Sequence, residues 1–446
     1  MRPRSQGDHD QLDLFRAHFD QLLNPNHPLV ILSQKIDWAR FDAAFAEFYS
    51  DDMGAPAKAT RLLVALHYLK HAFSESDESL VARWVENPYW QYFCGFTTMQ
   101  HELPLHPTTM VKWRKRVGAD KLAMLLQETI ALALREKQVS PQELQQVNVD
   151  TTVQEKNITY PTDSNLFYKA IVKLAKAAKS RGVRLRQSYV RVAKIAAIKA
   201  SRCAHAKQFR RMQRQLRFLR TRLGRVLRDF GRMVAHPDEA LRDLLKLCWR
   251  LFRQQPQDKH KLYSLDEPEV ECISKGKAHK RYEFGQKISI ATTNRRNWVL
   301  AAMLCPDNPY DGHTLQATLA AAERNSGVRP TAAFVDKGYR GHGCHGDTQI
   351  HIAGASNKDA SRILRKRRRR RSAIEPLIGH MKSDHRMGRC FLKGLLGDAI
   401  NAVLAAAGRN FRKLLRCVFA LIFGLVWAAA WWKRPSRCVP RLAAAA

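Results

Sequence analysis

The chain has 446 residues and 51.1 kDa, enough for two or three domains with real cores. Its hydrophobic content of 45% is that of a folded protein, which excludes a disordered polyelectrolyte. The charge is the unusual quantity: 76 Lys and Arg against 40 Asp and Glu give +36, which points to a polyanionic partner, either nucleic acid or an acidic membrane surface.

Residues 1–140 read as helical. Phe41, Phe45 and Phe48 fall at i, i+4, i+7, and Leu62, Leu66, Leu69 and Phe73 repeat the pattern. Ser76 or Ser79 opens the next helix, with Leu80, Val81 and Trp84 as its apolar face. Pro107-Thr108 precedes a basic helix carrying Lys112, Trp113, Arg114, Lys115 and Arg116, which Gly118 closes. Short helices joined by tight turns, one of them basic, fit a helix-turn-helix-like DNA-binding module or an all-helical packing domain. Lys112 and Arg114 are the candidate DNA contacts here.

Near residue 145 the register changes. QQVNVDTTV alternates and reads as a strand ending on Asp150. Residues 166–235 then hold 21 Lys and Arg and a single acid, Asp229, a net +20 out of +36. Leu216, Leu219, Leu223, Leu227 and Phe230 mark a helical seam, and Gly182 separates two long helices. A solvated helix face mixes both signs, so this near-absence of acids favours contact with a nucleic-acid backbone.

From 262 the structure is mixed. GQKISIATT and WVLAAML flank the turn Asn294-Arg295-Arg296-Asn297, giving a hairpin. A helix from about His313 to Asn325 is closed by Gly327, and TAAFVDKGYRG reads as a buried strand ending on Asp336. The expected class is therefore α/β, a mixed sheet with flanking helices, preceded by an all-α region and interrupted by a basic helical insertion. Asp150 and Asp336 stand at strand ends, where open α/β sheets place their sites.

Residues 364–391 (LRKRRRRRSAIEPLIGHMKSDHRMGRCF) hold one early acid, Glu375. On a single continuous helix Arg368, Arg371, Lys382 and Arg386 lie within roughly 40° of it. Ser372 and Glu375 also fit a capping box, and Pro376 is tolerated only in a first turn. Beyond, Cys417 to Trp432 is an uncharged run of 16, short of the roughly 20 residues a membrane span needs. It is expected to be a buried or subunit-facing helix ahead of an unstructured tail, with membrane anchoring as the rival reading.

Nine scattered cysteines, no CxxC and a start without an apolar h-region lead to the expectation of free thiols in a reducing cytosol. His342, Cys344 and His345 lack the second ligand pair that zinc requires. The three carboxylates Asp150, Asp336 and Glu375, with cations beside the last, suit metal-assisted phosphodiester chemistry. Each alone is equally a turn or capping residue.

Longer motifs decide between these. HPLVILSQKIDW (27–38), VNVDTTVQEKNITYPTDSNL (147–166), DEPEVECISKGKAHKRYEFGQKISIATT (266–293), DNPYDGHTL (307–315), VDKGYRGHG (335–343) and IEPLIGHMKSDHRMGRCFLKG (374–394) occur in this order. Over about residues 28–416 the chain resembles the DDE transposases of bacterial insertion sequences. The resemblance implies an all-helical N-terminal DNA-binding domain (1–140) and a ribonuclease H-like catalytic domain (141–416) with the basic insertion at 166–255. An apolar C-terminal helix and tail (417–446) complete the division. It implies Asp150, Asp336 and Glu375 as catalytic and metal-holding residues, with two Mg²⁺ or Mn²⁺ ions. The family's Tyr-x2-Arg-x3-Glu-x6-Lys signature falls on Arg371, Glu375 and Lys382, with Arg368 where the tyrosine stands. Arg371, Lys382, Arg386, Tyr339 and Arg340 are the further expected DNA contacts. The expected partners are double-stranded element ends and target DNA, with a homodimer on DNA, a cytoplasmic, nucleoid-associated location and no membrane. The alternative is a basic DNA-binding protein without catalysis.

Overall fold

The computed structural model describes Arg2 and residues 17–50, 56–274, 281–344, 346–354 and 361–432. Among them, eight α-helices precede the sheet: α1 (Phe19–Leu22), α2 (Pro28–Lys35), α3 (Trp38–Phe45), α4 (Thr60–Phe73), α5 (Asp77–Glu86), α6 (Pro88–Phe93), α7 (Pro107–Arg135) and α8 (Pro141–Leu144). Four of them start with one device, a polar cap followed by proline: His27-Pro28, Asn87-Pro88, His106-Pro107 and Ser140-Pro141. Proline costs nothing there because the first N–H has no helical acceptor. Ser76 caps α5 in a reciprocal box with Ser79. In α7 Gly118 takes φ 78°, ψ 173°, so the segment is two helices meeting at a kink, as its glycine suggests.

β1 (Gln146–Lys156) is the central strand. The expectation that it ends on Asp150 is corrected: it runs six residues further. Thr151, Thr152, Gln154 and Lys156 are buried polar residues that interrupt the apolar alternation, yet each stays in the sheet. Four helices follow, α9 (Asp163–Ser180), α10 (Val190–His205), α11 (Phe209–Met233) and α12 (Glu239–Arg253). Then come β2 (Glu271–Ser274), β3 (Tyr282–Thr293), β4 (Val299–Cys305), α13 (Asp311–Ser326), β5 (Ala332–Val335) and β6 (Gln349–Ile352). The chain closes with α14 (Arg362–Arg370), α15 (Ile374–Asp384), β7 (Arg389–Cys390) and α16 (Gly394–Trp432).

The sheet is mixed, in the order β2-β3-β1-β5-β6, with β4 added to β3 and β7 to β1. β1 and β3 are antiparallel from Val147↔Thr293 to Glu155↔Gly285, while β5 joins β1 in parallel at Gln146–Asn148. β7 meets β1 only at Glu155 and Lys156, so the edge of β1 between β5 and β7 has no described strand beside it.

One apolar core runs from Leu29 of α2 through α4 and α7, across Val147, Val149, Ile288, Ile290 and Trp298–Ala302, to Leu377 and along α16 as far as Val418. Tyr68 of α4 stacks on Phe411 of α16, and Asn410 satisfies the N–H and C=O of Val299 at 3.0 and 2.8 Å. The N-terminal helices are therefore packed on the sheet through α16. A second core belongs to α9–α12, built on Leu166, Ile171, Leu174, Leu219, Leu223, Leu227, Phe230 and Leu251. The seam expected on α11 forms it, but 166–235 holds three helices where two long ones were expected, and α12 adds a fourth. Both chain passages into this unit are tied to the start of α16. Lys156 Nζ lies 2.7 Å from Asp398 Oδ2, 3.2 Å from Glu267 Oε2 and 3.7 Å from Glu269 Oε1.

Among the described residues no helix is long and apolar enough to cross a membrane. The eight described cysteines are free thiols. Residues 433–446, including Cys438, and His345 lie outside the described residues. His342 Nδ1 accepts the Cys344 N–H at 2.9 Å, so its ring closes a local turn.

Candidate active site

The site begins with register. β1 and β5 pair as Asn148↔Phe334; continuing that register by two residues brings Asp336, just past the end of β5, level with Asp150. Asp150 stands on the strandless edge segment, and its Oδ1 accepts the Thr151 N–H at 2.8 Å. Asp336 caps the short turn Lys337–Tyr339, accepting the Lys337 N–H at 2.7 Å.

The third component comes from the C-terminal segment. Of the two readings of 364–391, one continuous helix or a fresh start near Pro376, the second holds: α14 stops at Arg370, a tight 3-10 turn spans Arg371–Ala373, and α15 starts at Ile374. Pro376 sits in the first turn of α15, where it breaks no hydrogen bond. The Ser372–Glu375 capping box does not form; the Ser372 hydroxyl donates to the Arg369 carbonyl at 3.0 Å. Helix ends leave carbonyls without intrahelical donors, and three asparagine amides serve them. Asn148 donates to Arg370 O (3.3 Å), Asn294 to Arg367 O (3.0 Å) and Asn297 to Ala373 O (3.3 Å). Asn294 also donates to Asn148 Oδ1 at 2.7 Å. The β3–β4 turn thus pins the break between α14 and α15 against β1, and the break aims Arg371 at the sheet.

Arg371 joins the three acids. Its guanidinium lies 3.8 Å from Asp150 Oδ2, 3.9 Å from Asp336 Oδ1 and 3.2 Å from Glu375 Oε1. The side chain of Arg371 is 14% exposed, against 20% for Asp150, 51% for Asp336 and 63% for Glu375, so the cluster forms a wall open on the Glu375 side. Among the described residues no three His, Cys, Asp or Glu side chains close directly into an ion cage. The three carboxylates surround a guanidinium instead. The donor set is all oxygen, the kind a hard divalent cation takes.

The other expected contacts separate into two groups. Lys112 and Arg340 are exposed, and Lys382 is half-buried on α15. Arg114 is 2% exposed and paired through both nitrogens with Asp77 (2.9 and 2.6 Å), so it is a core cation, while Lys112, Lys115 and Arg116 of the same helix are exposed. Tyr339 is 1% exposed; burial, with Asp150 and Asp311 nearby, drives its phenol well above the ordinary range, and its ring packs in the core under the Asp336 turn. Arg386 lies beyond the end of α15 at φ 62°. It donates to Ser74 O at 3.2 Å and covers the Phe391 ring, so it leaves the Glu375 face. Arg368 sits on α14, across the break from Glu375. Sequence reasoning missed the asparagine anchors and Asp311, whose Oδ1 accepts from Thr151 (3.0 Å) and Lys287 (2.9 Å). Asn294 and Asn297 carry only a turn signal, which hides their anchoring role.

A mixed sheet thus brings two aspartates level, one on β1 and one just past β5, with a glutamate delivered by a late helix. Comparison with known proteins gives the family. Residues 17–116 match a transposase domain (DUF772), and residues 252–411 match the transposase DDE domain. The uncharacterised protein ORF8 in the nfe locus of Rhizobium meliloti is 53% identical over 209 residues, all of that protein and 47% of this chain. No solved structure matches. The chain belongs to the DDE transposases of insertion sequences.

Proposed function

We propose that this transposase binds the terminal inverted repeats of its element and catalyses Mg²⁺-dependent cleavage and strand transfer, with Asp150, Asp336 and Glu375 as the catalytic carboxylates. One observation carries the reading: acids separated by 185 intervening residues and then by 38 meet within 4 Å of a single guanidinium. The carboxylates would hold two divalent ions, which when bound supply a Lewis acid for the leaving oxygen and lower the pKa of the attacking water. This chain's residues do the positioning. Asp150 is fixed by sheet register, Asp336 emerges level with it just past β5, and Glu375 is set by the pinned start of α15. Arg371 offsets part of the acids' charge and turns to a phosphate as the strand enters; Lys382 and Arg340 extend the cationic track.

Residues 1–140 read as the end-recognition domain, 141–416 as a ribonuclease H-like catalytic domain, 166–255 as a backbone clamp within it and the end of α16 from residue 417 as subunit-facing. The clamp rests on exposed cations. Arg191, Lys194, Lys199 and Arg202 of α10 and Arg210, Arg211, Arg214, Arg217, Arg225 and Arg228 of α11 face solvent, while Asp229 is buried against Arg232. Cutting and joining two ends together calls for a dimer on DNA. The test is Mg²⁺-dependent nicking of end-containing DNA. Asp150→Asn abolishes nicking and retains binding; nicking at the wild-type rate in that variant removes Asp150 from the mechanism.

A further inference from the structure

The segment Asp307–Leu315 has no part in the chemistry above, yet it touches β1 next to Asp150 and the loop that follows Asp336. Asp311 opens α13, and its Oδ1 takes two hydrogen bonds, from Thr151 Oγ1 at 3.0 Å and Lys287 Nζ at 2.9 Å. Thr151 follows Asp150 on β1 and points to the opposite face of the strand. Lys287, its side chain 9% exposed, also donates to Pro309 O at 2.6 Å, which ties the start of the turn to β3. On its other side the turn grips the loop beyond β5. The Tyr310 hydroxyl donates to Arg340 O at 2.6 Å. At Gly312 a Cβ would stand 2.9 Å from the His342 Cα and 2.8 Å from the Tyr310 ring, so turn and loop approach as backbone against backbone. The remaining Asp311 oxygen faces Gly338, where a Cβ would lie 3.7 Å from it.

We propose that the 309–312 turn is a positioning clamp that sets the separation of the two aspartates, Asp311 holding β1 immediately after Asp150 while Tyr310 and Gly312 hold the loop that carries Asp336. It rests on the reading of Asp150 and Asp336 as the catalytic pair. Such a clamp is needed because Asp336 lies past the last paired residue of β5, half-exposed, where register alone no longer fixes it. Asp311 and Tyr310 are positioning residues and touch no reacting atom. A carboxylate pair displaced by about an ångström binds a divalent ion more weakly even when the fold is intact, and loss of such outer partners typically weakens metal binding by about 10–100-fold.

The experiment measures Mn²⁺ binding to the full chain by electron paramagnetic resonance, without DNA, in the wild type, Tyr310→Phe, Asp311→Asn and Asp150→Asn, alongside melting temperature and nicking. Tyr310→Phe removes one oxygen and is expected to melt as the wild type. The clamp predicts Mn²⁺ binding weakened about tenfold in Asp311→Asn and several-fold in Tyr310→Phe, with both curves rising to the wild-type stoichiometry. Wild-type affinity in Tyr310→Phe and Asp311→Asn, with binding lost in Asp150→Asn, overturns the clamp and leaves the catalytic assignment standing. If Asp150→Asn binds Mn²⁺ and nicks like the wild type, the catalytic assignment itself falls. Should Asp311→Asn unfold through its unpaired Lys287, Tyr310→Phe decides the matter alone.

Discussion

Arg114 offers a sharp test of how burial overrides composition. It lies in a string of cations that reads as a DNA-facing helix, but the folded chain encloses it: 2% exposed, bidentate to Asp77, with Lys70 Nζ on the same carboxylate at 2.7 Å. Burial alone would raise the Asp77 pKa. The Arg114 hydrogen bonds and the Lys70 charge outweigh it and hold the carboxyl well below the usual range. Removing one partner of such a pair leaves an uncompensated buried charge and costs roughly 3–5 kcal/mol. Asp77→Asn should fall near the lower end of that range, because Lys70, already pushed down to about 8 chiefly by burial, can shed its proton. At about 2 °C per kcal/mol for a large domain, the melting temperature should fall by roughly 6 °C in Asp77→Asn, and by less in Arg114→Met, where Lys70 still pairs with Asp77. Calorimetry reads that directly. A parallel salt titration of DNA binding should show an unchanged slope for Arg114→Met, since each phosphate left without its cation would lower the slope by about 0.9. A variant that melts like the wild type while its salt slope drops by about one would refute the core assignment.

Two further outcomes are expected. Replacing Arg210, Arg214 and Arg217 of α11 by glutamine should reduce the salt slope of DNA binding by about 2–3 without moving the melting temperature, because all three are exposed and off the buried seam; an unchanged slope argues against the clamp role of α9–α12. Acid should destabilise the packing of the N-terminal helices on the site. His71 and His385 donate their Nδ1 protons to each other's carbonyls (3.3 and 2.8 Å), and burial lowers His71 well below its usual value, His385 to about 4 and His67 to about 3. These rings are neutral in the fold and charged when unfolded over that window, so the unfolded state binds more protons there and stability falls as pH drops from about 6.5 toward 4. The urea midpoint should therefore be lower at about pH 5 than at about pH 7.5, with His385→Gln removing part of the difference; a flat profile defeats the argument.

What could be read from the chain was local. The β3–β4 hairpin, α13 with its Gly327 stop and Asp336 at the end of β5 all follow from periodicity and turn residues within a short window. The full extent of β1 did not, because its second half buries Thr152, Gln154 and Lys156, the last two against Asp398 and Asn401, which no window contains. The break at Arg371–Ala373 was legible only in part: Pro376 marks a first turn, but the asparagines at 148, 294 and 297 that pin it act from outside. Arg114 was legible in principle. Met110, Trp113, Arg114 and Val117 are buried at i, i+3, i+4, i+7, a spacing that assigns the arginine to the inner face despite its charge.

The knot of Lys156, Asp398 and Glu267 at the root of α9–α12 bears on how the chain folds in time. β1 must find β3 across an intervening segment of more than a hundred residues, the slowest kind of pairing a chain can make. Because that segment carries its own core, it can collapse first and bring its two ends together. A tether of roughly 110 residues then behaves like one of about 20, which lowers the entropy of closure by about 1.5 kcal/mol and quickens the pairing about tenfold. The basic helices would thus act during synthesis as the splint on which the catalytic strands are brought into register.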